Sequence, residues 1–432
     1  MRAAILFLIT AAVFIVAQGT GHPVLFHLFY VLAGTLVTSY VWAWLNLRGL
    51  TAERELMSTR AQVGKPLEEH ILVRNESIWP KLWVEVQDMT DLPAHQARFV
   101  TNVSHRGMRH TRVRTQCELR GKYSFGPILI RTSDPLGLFH FQKRLPSMAD
   151  VLVYPATDPI HDFPLPPAEL PGGTATRRRT HHTTPNVAGA REYAPGDSFN
   201  RIHWPSSARQ QRLIVKEFEL DPTADLWIVL DMQHRVQQST SYRGRPTTEG
   251  EHAEELRTPE STEEYLVTAA ASLANYFVLT QRRNTGLIAY GQYREIIMPE
   301  REPRQFYHIL ESLAVLRAWG RTPLQQVLAA EANRFSRQTS LIIITPSTDD
   351  TWVKTGLRDL LCSGIHATII LVDGNTFGGV YELSRVKAEL TAHNVPFYVL
   401  AKDQPIGASL SGPAGALSKL MHPTWVDIAP SG

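Results

Sequence analysis

Residues 191–219 read REYAPGDSFNRIHWPSSARQQRLIVKEFE, and their side chains are those of a reaction centre. Asp197, His203 and either Ser206 or Ser207 would supply an orienting carboxylate, a general base and a hydroxyl nucleophile. Asp197, Lys216 and Glu217 also suit a nuclease. The same composition has a second explanation. Arg191, Arg201 and Arg209 can pair bidentately with Asp197, Glu217 or Glu219 where water is partly excluded. The segment is then an ion-paired joint between domains, or a docking face. Pro195-Gly196-Asp197 reads as a turn, Asp197 or Ser198 as a helix N-cap, and LIVKEFEL as a strand feeding the domain that follows. Trp204 becomes an anchor, in a core or at an interface. Catalysis needs a geometry that spacing along one segment does not supply. The chain has no Gly-x-Ser-x-Gly elbow and no phosphate loop. A non-enzymatic joint is therefore the preferred reading, and a hydrolase the alternative.

A second set lies further on. Asp231 ends the apolar run LWIVLDM (226–232), Thr322 opens a helix after Gly320-Arg321, and Asp349 follows SLIIITPS (340–347). In an open α/β sheet these loops lie beyond the carboxyl ends of strands, where ligands bind. An acid, a threonine and a second acid there resemble the metal-ion-dependent adhesion site of von Willebrand factor A domains. That resemblance implies Mg²⁺, which suits hard oxygen ligands. The family's Asp-x-Ser-x-Ser reads Asp231-Met232-Gln233-His234-Arg235 here, with Gln233 and Arg235 at the serine positions. Either the degenerate site still takes Mg²⁺, or it is disabled, takes no cofactor, and Arg235 supplies the positive charge. His181-His182 are a weak ligand pair, because neighbours in an extended segment point to opposite sides.

The elements that must position these residues follow from periodicity. Over 52–155 short segments alternate apolar and polar residues between turn signals, as in EEHILVRN, KLWVEVQD and GPILIRTS, which predicts a small all-β sandwich. Residues 156–188 are a proline-rich then basic linker, its Arg177-Arg178-Arg179 either solvated or touching anionic lipid. The signature segment spans 189–222. From 223 to 404 buried-strand runs alternate with amphipathic helices, which predicts an α/β domain with a mainly parallel sheet, of the von Willebrand factor A-like kind given the resemblance above. The acidic loop 233–260 leaves beside the degenerate site, as a cover, a partner contact or plain disorder. Residues 405–432 read as a flexible tail.

The chain has 432 residues, room for two or three domains, and a formal net charge of +3, which gives no argument for nucleic acid. Its two cysteines, Cys117 and Cys362, exclude a disulfide framework and read as buried, reduced thiols. Residues 1–50 hold two uncharged apolar runs, 3–18 and 24–47, separated by Gly-Thr-Gly-His-Pro. They predict a two-helix membrane hairpin. Arg2 precedes the first run and Arg48, Arg54 and Arg60 follow the second, which puts both ends in the cytoplasm. The competing reading is a signal peptide ending near Ala17, then one anchor.

Against this layout the stretch GAREYAPGDSFNRIHWPSSARQQRLIVKEFE closely resembles the signature of the bacterial domain-of-unknown-function 58 family. Arg191, Tyr193, Gly196, Asp197, Arg201, Ile202, His203, Trp204, Ser207, Ala208, Arg209, Leu213, Val215, Lys216 and Glu219 carry the match. RGKYSFGP and DPLGLF in the β domain agree with it. The resemblance implies a membrane-anchored partner of MoxR-type AAA+ ATPases, a non-enzymatic adaptor or scaffold aiding assembly of other, envelope-related complexes. It implies lipid contact through the hairpin and no binding of nucleic acid.

Overall fold

The computed structural model describes residues 2–164, 187–192, 203–218, 225–239, 260–337, 339–380 and 382–412. Helices α1 (Arg2–Thr20) and α2 (Pro23–Leu47) form an antiparallel hairpin. Neither has Asp, Glu, Lys or Arg beyond Arg2. At about 1.5 Å per residue each can cross a hydrocarbon core about 30 Å thick. Gly21 takes φ 67 at the reversal, where a side chain would be strained, and Pro23 starts α2 at the position that needs no N–H. Phe14 and Phe29 tie the two helices at 4.8 Å.

The last two turns of α2 belong to the next domain. Tyr40 meets Phe139 and Phe141 edge-on at 5.5 and 5.6 Å. The buried Asn46 amide donates to the Leu82 carbonyl at 2.7 Å and accepts from the Leu82 N–H at 3.1 Å. The buried Lys81 ammonium caps the Leu45 carbonyl, a cation at the negative end of a helix.

That domain is a two-sheet sandwich, as the alternation predicts. β1 (Leu50–Leu56), β3 (Pro66–Asn75) and β6 (Met108–Gln116) make an antiparallel three-stranded sheet in the order β1-β3-β6. The other sheet runs β2 (Arg60–Gln62), β9 (Ala149–Tyr154), β7 (Gly121–Ser133), β4 (Lys81–Thr90), β5 (Arg98–Val103), with β8 (His140–Leu145) also paired to β7. Ile71, Val73, Val84, Val86, Ile128 and Ile130 fill the space between them.

The signature segment contributes β10 (Val187–Glu192), α3 (Trp204–Gln210) and β11 (Ile214–Phe218). Among the described residues β10 and β11 pair only with each other, as a two-stranded antiparallel ribbon. The expectation that LIVKEFEL feeds the α/β sheet is thus corrected.

The α/β domain has a six-stranded sheet ordered β14-β13-β12-β15-β16-β17. Its strands are β12 (Leu226–Leu230), β13 (Thr285–Tyr290), β14 (Arg294–Glu300), β15 (Ser340–Thr345), β16 (His366–Val372) and β17 (Phe397–Leu400). Four pairings are parallel, and the β13–β14 edge is antiparallel. β12 is buried along its whole length, as a strand covered on both faces must be. Leu226, Ile228 and Leu230 face a core with α4 (Thr262–Ala274), α5 (Pro303–Val315) and α9 (Ile406–Leu410). Trp227 and Val229 face the other, with α6 (Leu324–Glu331), α7 (Arg358–Cys362) and α8 (Ser384–Ala392). Two segments read as linker and tail are partly packed. Ile160 and Phe163 enter the first core, and Ile406 and Leu410 seal it. Asp158 accepts from the Ile406 N–H at 3.0 Å and so joins them. Cys117 is buried, which pushes its thiol up to about 11, but Cys362 is exposed, contrary to expectation.

Sandwich and α/β domain meet at Arg120, which is wholly buried. Its guanidinium donates to the Leu313 carbonyl at 3.0 Å and the Leu316 carbonyl at 2.7 Å, at the C-terminal end of α5. It also pairs with Glu263 at 2.7 Å and with Glu264, both in the first turn of α4. Arg317 adds contacts to the same two acids at 3.7 and 3.5 Å. Removing one partner of a buried ion pair costs about 3–5 kcal/mol, because the remaining charge stays desolvated. Arg120→Ala should therefore lower urea stability of the detergent-solubilised chain by about 3 kcal/mol, with Arg120→Lys, which lacks the planar fork, in between. An Arg120→Ala midpoint equal to that of the native chain would remove Arg120 from this role.

Candidate functional site

The signature is built round the N-terminus of α3. The His203 carbonyl accepts from the N–H groups of Ser206 and Ser207 at 3.1 and 3.0 Å, so His203 opens the helix. Its Nδ1 lies 2.6 Å from Ser206 Oγ, a base-to-hydroxyl contact. Ser207 is buried and its oxygen is engaged: it donates to the His203 carbonyl at 3.1 Å and accepts from the Ile214 N–H at 2.8 Å. That clasps α3 to β11 and leaves Ser206 as the hydroxyl facing the imidazole. Trp204 is 64% exposed, so it anchors no core, and Arg209 is exposed too. Arg191 sits on β10 opposite Val215, and Lys216 opposite Ala190. The side chains of Arg191 and Lys216 fall outside the described residues, as do Tyr193, Gly196, Asp197, Arg201 and Glu219.

The carboxyl ends of the α/β strands form a cleft. Asp231 leaves β12 with its N–H donated to the Ile344 carbonyl at 3.0 Å. Its side chain is buried and accepts from the Thr345 hydroxyl at 2.7 Å and the Gln233 N–H at 3.2 Å. Burial pushes the Asp231 carboxyl up to about 6, opposed by those two hydrogen bonds. Gly320 then bridges in parallel to Gln233, donating to the Met232 carbonyl at 3.0 Å and accepting from His234 N–H at 2.8 Å. A Cβ on Gly320 would lie 2.0 Å from the Tyr290 carbonyl oxygen, so only glycine allows this approach. The result is an open cleft of about 690 Å³ lined by Gln233, His234, Arg235, Trp319, Gly320 and Arg321. Arg235 and Arg321 are exposed, and Trp319 is 67% exposed.

The donor set here does not fit Mg²⁺. Asp231 is spent on Thr345 and Gln233. Asp349 is exposed and accepts from the Thr351 N–H at 3.1 Å and hydroxyl at 2.6 Å. Thr322 is half-buried before α6. With Gln233 and Arg235 at the serine positions, two permanent cations, Arg235 and Arg321, line the cleft that follows Asp231. An anion suits that rim better.

Sequence reading missed a second charged cluster, inside the sandwich. Among the described residues, Glu69, Asp88 and His95 are the one trio of potential metal ligands, their atoms within 4.8 Å of one another. Arg54 occupies the middle, 3.3 Å from Glu69 and directly bonded to Asp88, while His95 lies 3.1 Å from Asp88 and 3.5 Å from Glu69. With a guanidinium already seated between the two acids, this is an ion network and not an ion cage. It joins the sheets, since Arg54 and Glu69 belong to β1 and β3 and Asp88 to β4. Its signal lay in the alternation: Glu69 shares phase with Leu67, Ile71 and Val73, and Asp88 with Val84 and Val86.

Together these parts define a two-helix hairpin carrying a β-sandwich and a mixed α/β domain. Residues 189–369 match the family described as "Protein of unknown function DUF58", the family whose signature the sequence resembles. The uncharacterized protein YeaD of Bacillus subtilis (strain 168) is 25% identical over 353 residues, covering 79% of this chain and 81% of that protein. The CARDB domain of a Pyrococcus furiosus protein aligns with a TM-score of 0.20 at 14% identity, over 24% of this chain and 86% of that one. The C-terminal domain of wzt aligns with a TM-score of 0.20 at 13% identity, over 26% and 76%. Scores that low bear on neither fold nor function.

The ion network gives stability a pH dependence of definite sign. Burial, then the neighbouring Asp88 charge, raise Glu69 from 4.5 to about 7. The folded state thus holds a proton that the unfolded state has released, and stability falls as pH rises from about 4.5 to about 7. Glu69→Gln should remove this slope and raise stability at pH 8 by on the order of 3 kcal/mol relative to native. Urea melts at pH 4.5, 6 and 8 read the difference; parallel native and variant curves would refute it.

Proposed function

We propose that this chain is a non-enzymatic, membrane-anchored adaptor whose α/β domain docks a partner at the cleft beyond β12. The observation that carries the proposal is the rim itself. An exposed Trp319 beside Arg235 and Arg321 is the composition of a binding hot spot, with aromatic area at the centre and arginines to pair with carboxylates. The strand order, with one antiparallel edge and the cleft at the carboxyl ends, supports a von Willebrand factor A-like domain in which the arginines replace the metal ion. Arg2 and Arg48 lie at the same end of the hairpin, which supports placement of the body in the cytoplasm of a bacterial inner membrane. There it would meet an ATP-dependent partner of the MoxR-type AAA+ class and unknown clients. Arg235→Glu combined with Arg321→Glu should weaken binding of a purified MoxR-type ATPase to the detergent-solubilised chain at least about tenfold, a loss of about 1.4 kcal/mol or more. Melting should be unchanged, since both side chains are exposed. Undiminished binding would discard the cleft as the docking surface.

A hydrolase is the second reading, favoured by the 2.6 Å contact of His203 and Ser206. It requires that a fluorophosphonate label the chain and that Ser206→Ala abolish the label. The adaptor reading expects no labelling of either chain.

A further inference from the structure

The face of the sandwich beside α2 carries apolar side chains that the domain does not cover. Ile78, Trp79, Leu82 and Trp83 project from the β3–β4 connection and the start of β4, with Trp79 58% and Trp83 61% exposed. The exposure is built in. The β4–β5 register shifts between Lys81 and Val84, and Trp83 sits at φ 53 with its N–H donated to the Asn102 side chain at 2.8 Å. This irregularity turns Leu82 and Trp83 both outward, where regular alternation would bury one.

The position of the patch is fixed by α2. Leu82 is bonded both ways to Asn46, and a recess of about 420 Å³ between Leu45, Arg48, Ile78 and Trp79 joins the patch to the helix end. Trp42 and Trp44 of α2 are exposed at the same level, with the Arg48 guanidinium 5.0 Å over the Trp44 ring. Arg106 is exposed beside them, its N–H donated to the Ser77 carbonyl at 3.0 Å. Tryptophans ringed by arginines suit the headgroup layer, where an amphipathic ring straddles the boundary and a cation meets phosphate.

We infer that this face of the sandwich is seated in the headgroup layer of the bilayer that the hairpin enters, with Trp79 and Trp83 at the boundary and Arg48 and Arg106 on anionic lipid phosphates. The inference rests on the membrane-anchor reading above and goes beyond it. The sandwich is docked on the membrane and does not swing from it, and Arg120 passes that fixed orientation to the α/β domain.

The test uses the full chain with Cys362→Ser, leaving Cys117 buried, in vesicles of phosphatidylethanolamine and phosphatidylglycerol. Single cysteines carry an environment-sensitive fluorophore: Trp79→Cys, Trp83→Cys, Val31→Cys within α2, and Met57→Cys. Met57 is as exposed as the tryptophans but follows the end of β1 away from α2, roughly 20 Å off at about 3.3 Å per residue. Labels at 79 and 83 should shift to the blue and be quenched by spin-labelled lipid, while the label at 57 does neither. If 79 and 83 behave like 57 while 31 is quenched, the docked face is refuted, the anchor survives, and the patch is left for a protein. If 31 is unquenched as well, the anchor and the inference fall together.

Discussion

Arg120 is wholly buried where the sandwich meets the α/β domain, and the placement of the α/β domain against the sandwich passes through it. Its guanidinium binds the last carbonyls of α5 and the first acids of α4 at once. Both contacts are electrostatically apt, since α5 presents the negative end of its dipole. The α4 acids, favourable to their own helix N-terminus, gain a cation. The chain leaving α5 at this point becomes Trp319, Gly320 and Arg321, one wall of the cleft. The chain entering α4 comes from the acidic loop. A sandwich residue thus holds the helix end from which one wall of the cleft departs.

The interior of the sandwich follows the same logic on a smaller scale. Two hydrophobic sheets packed face to face can slide in register, because burial is non-directional. Arg54, Glu69, Asp88 and His95 impose direction. Each bond in the network has one geometry, and an unpaired charge there would be costly. Phe125 closes the network, under the Arg54 guanidinium at 4.8 Å and edge-on to His95 at 5.4 Å.

Some of this was legible beforehand. The uncharged runs gave the hairpin, alternation gave the sandwich strands, and the change of period at residue 223 gave the α/β domain. The apolar run 226–232 marks Asp231 as a strand end, and Gly320-Arg321 read as the residues ahead of a helix. Arg120 was not legible as a junction, because a lone arginine in RGKYSFGP carries no sign of what it will touch 193 residues away. Alternation alone places Leu82 and Trp83 in a regular strand, because a bulge depends on the partner's register. The buried ends of linker and tail were missed because Ile160, Phe163, Ile406 and Leu410 are too sparse to show a period.

The sequence by itself determined which segments are apolar on one face, on both or all round, since periodicity and composition are local properties of the chain. It also determined the family signature. Tertiary structure alone decided which charges are buried together and that Arg235 shares a cleft with Trp319 and Arg321. Those outcomes depend on contacts between residues distant in sequence. Their energies come from desolvation and mutual orientation, which exist only once the domains have closed on one another.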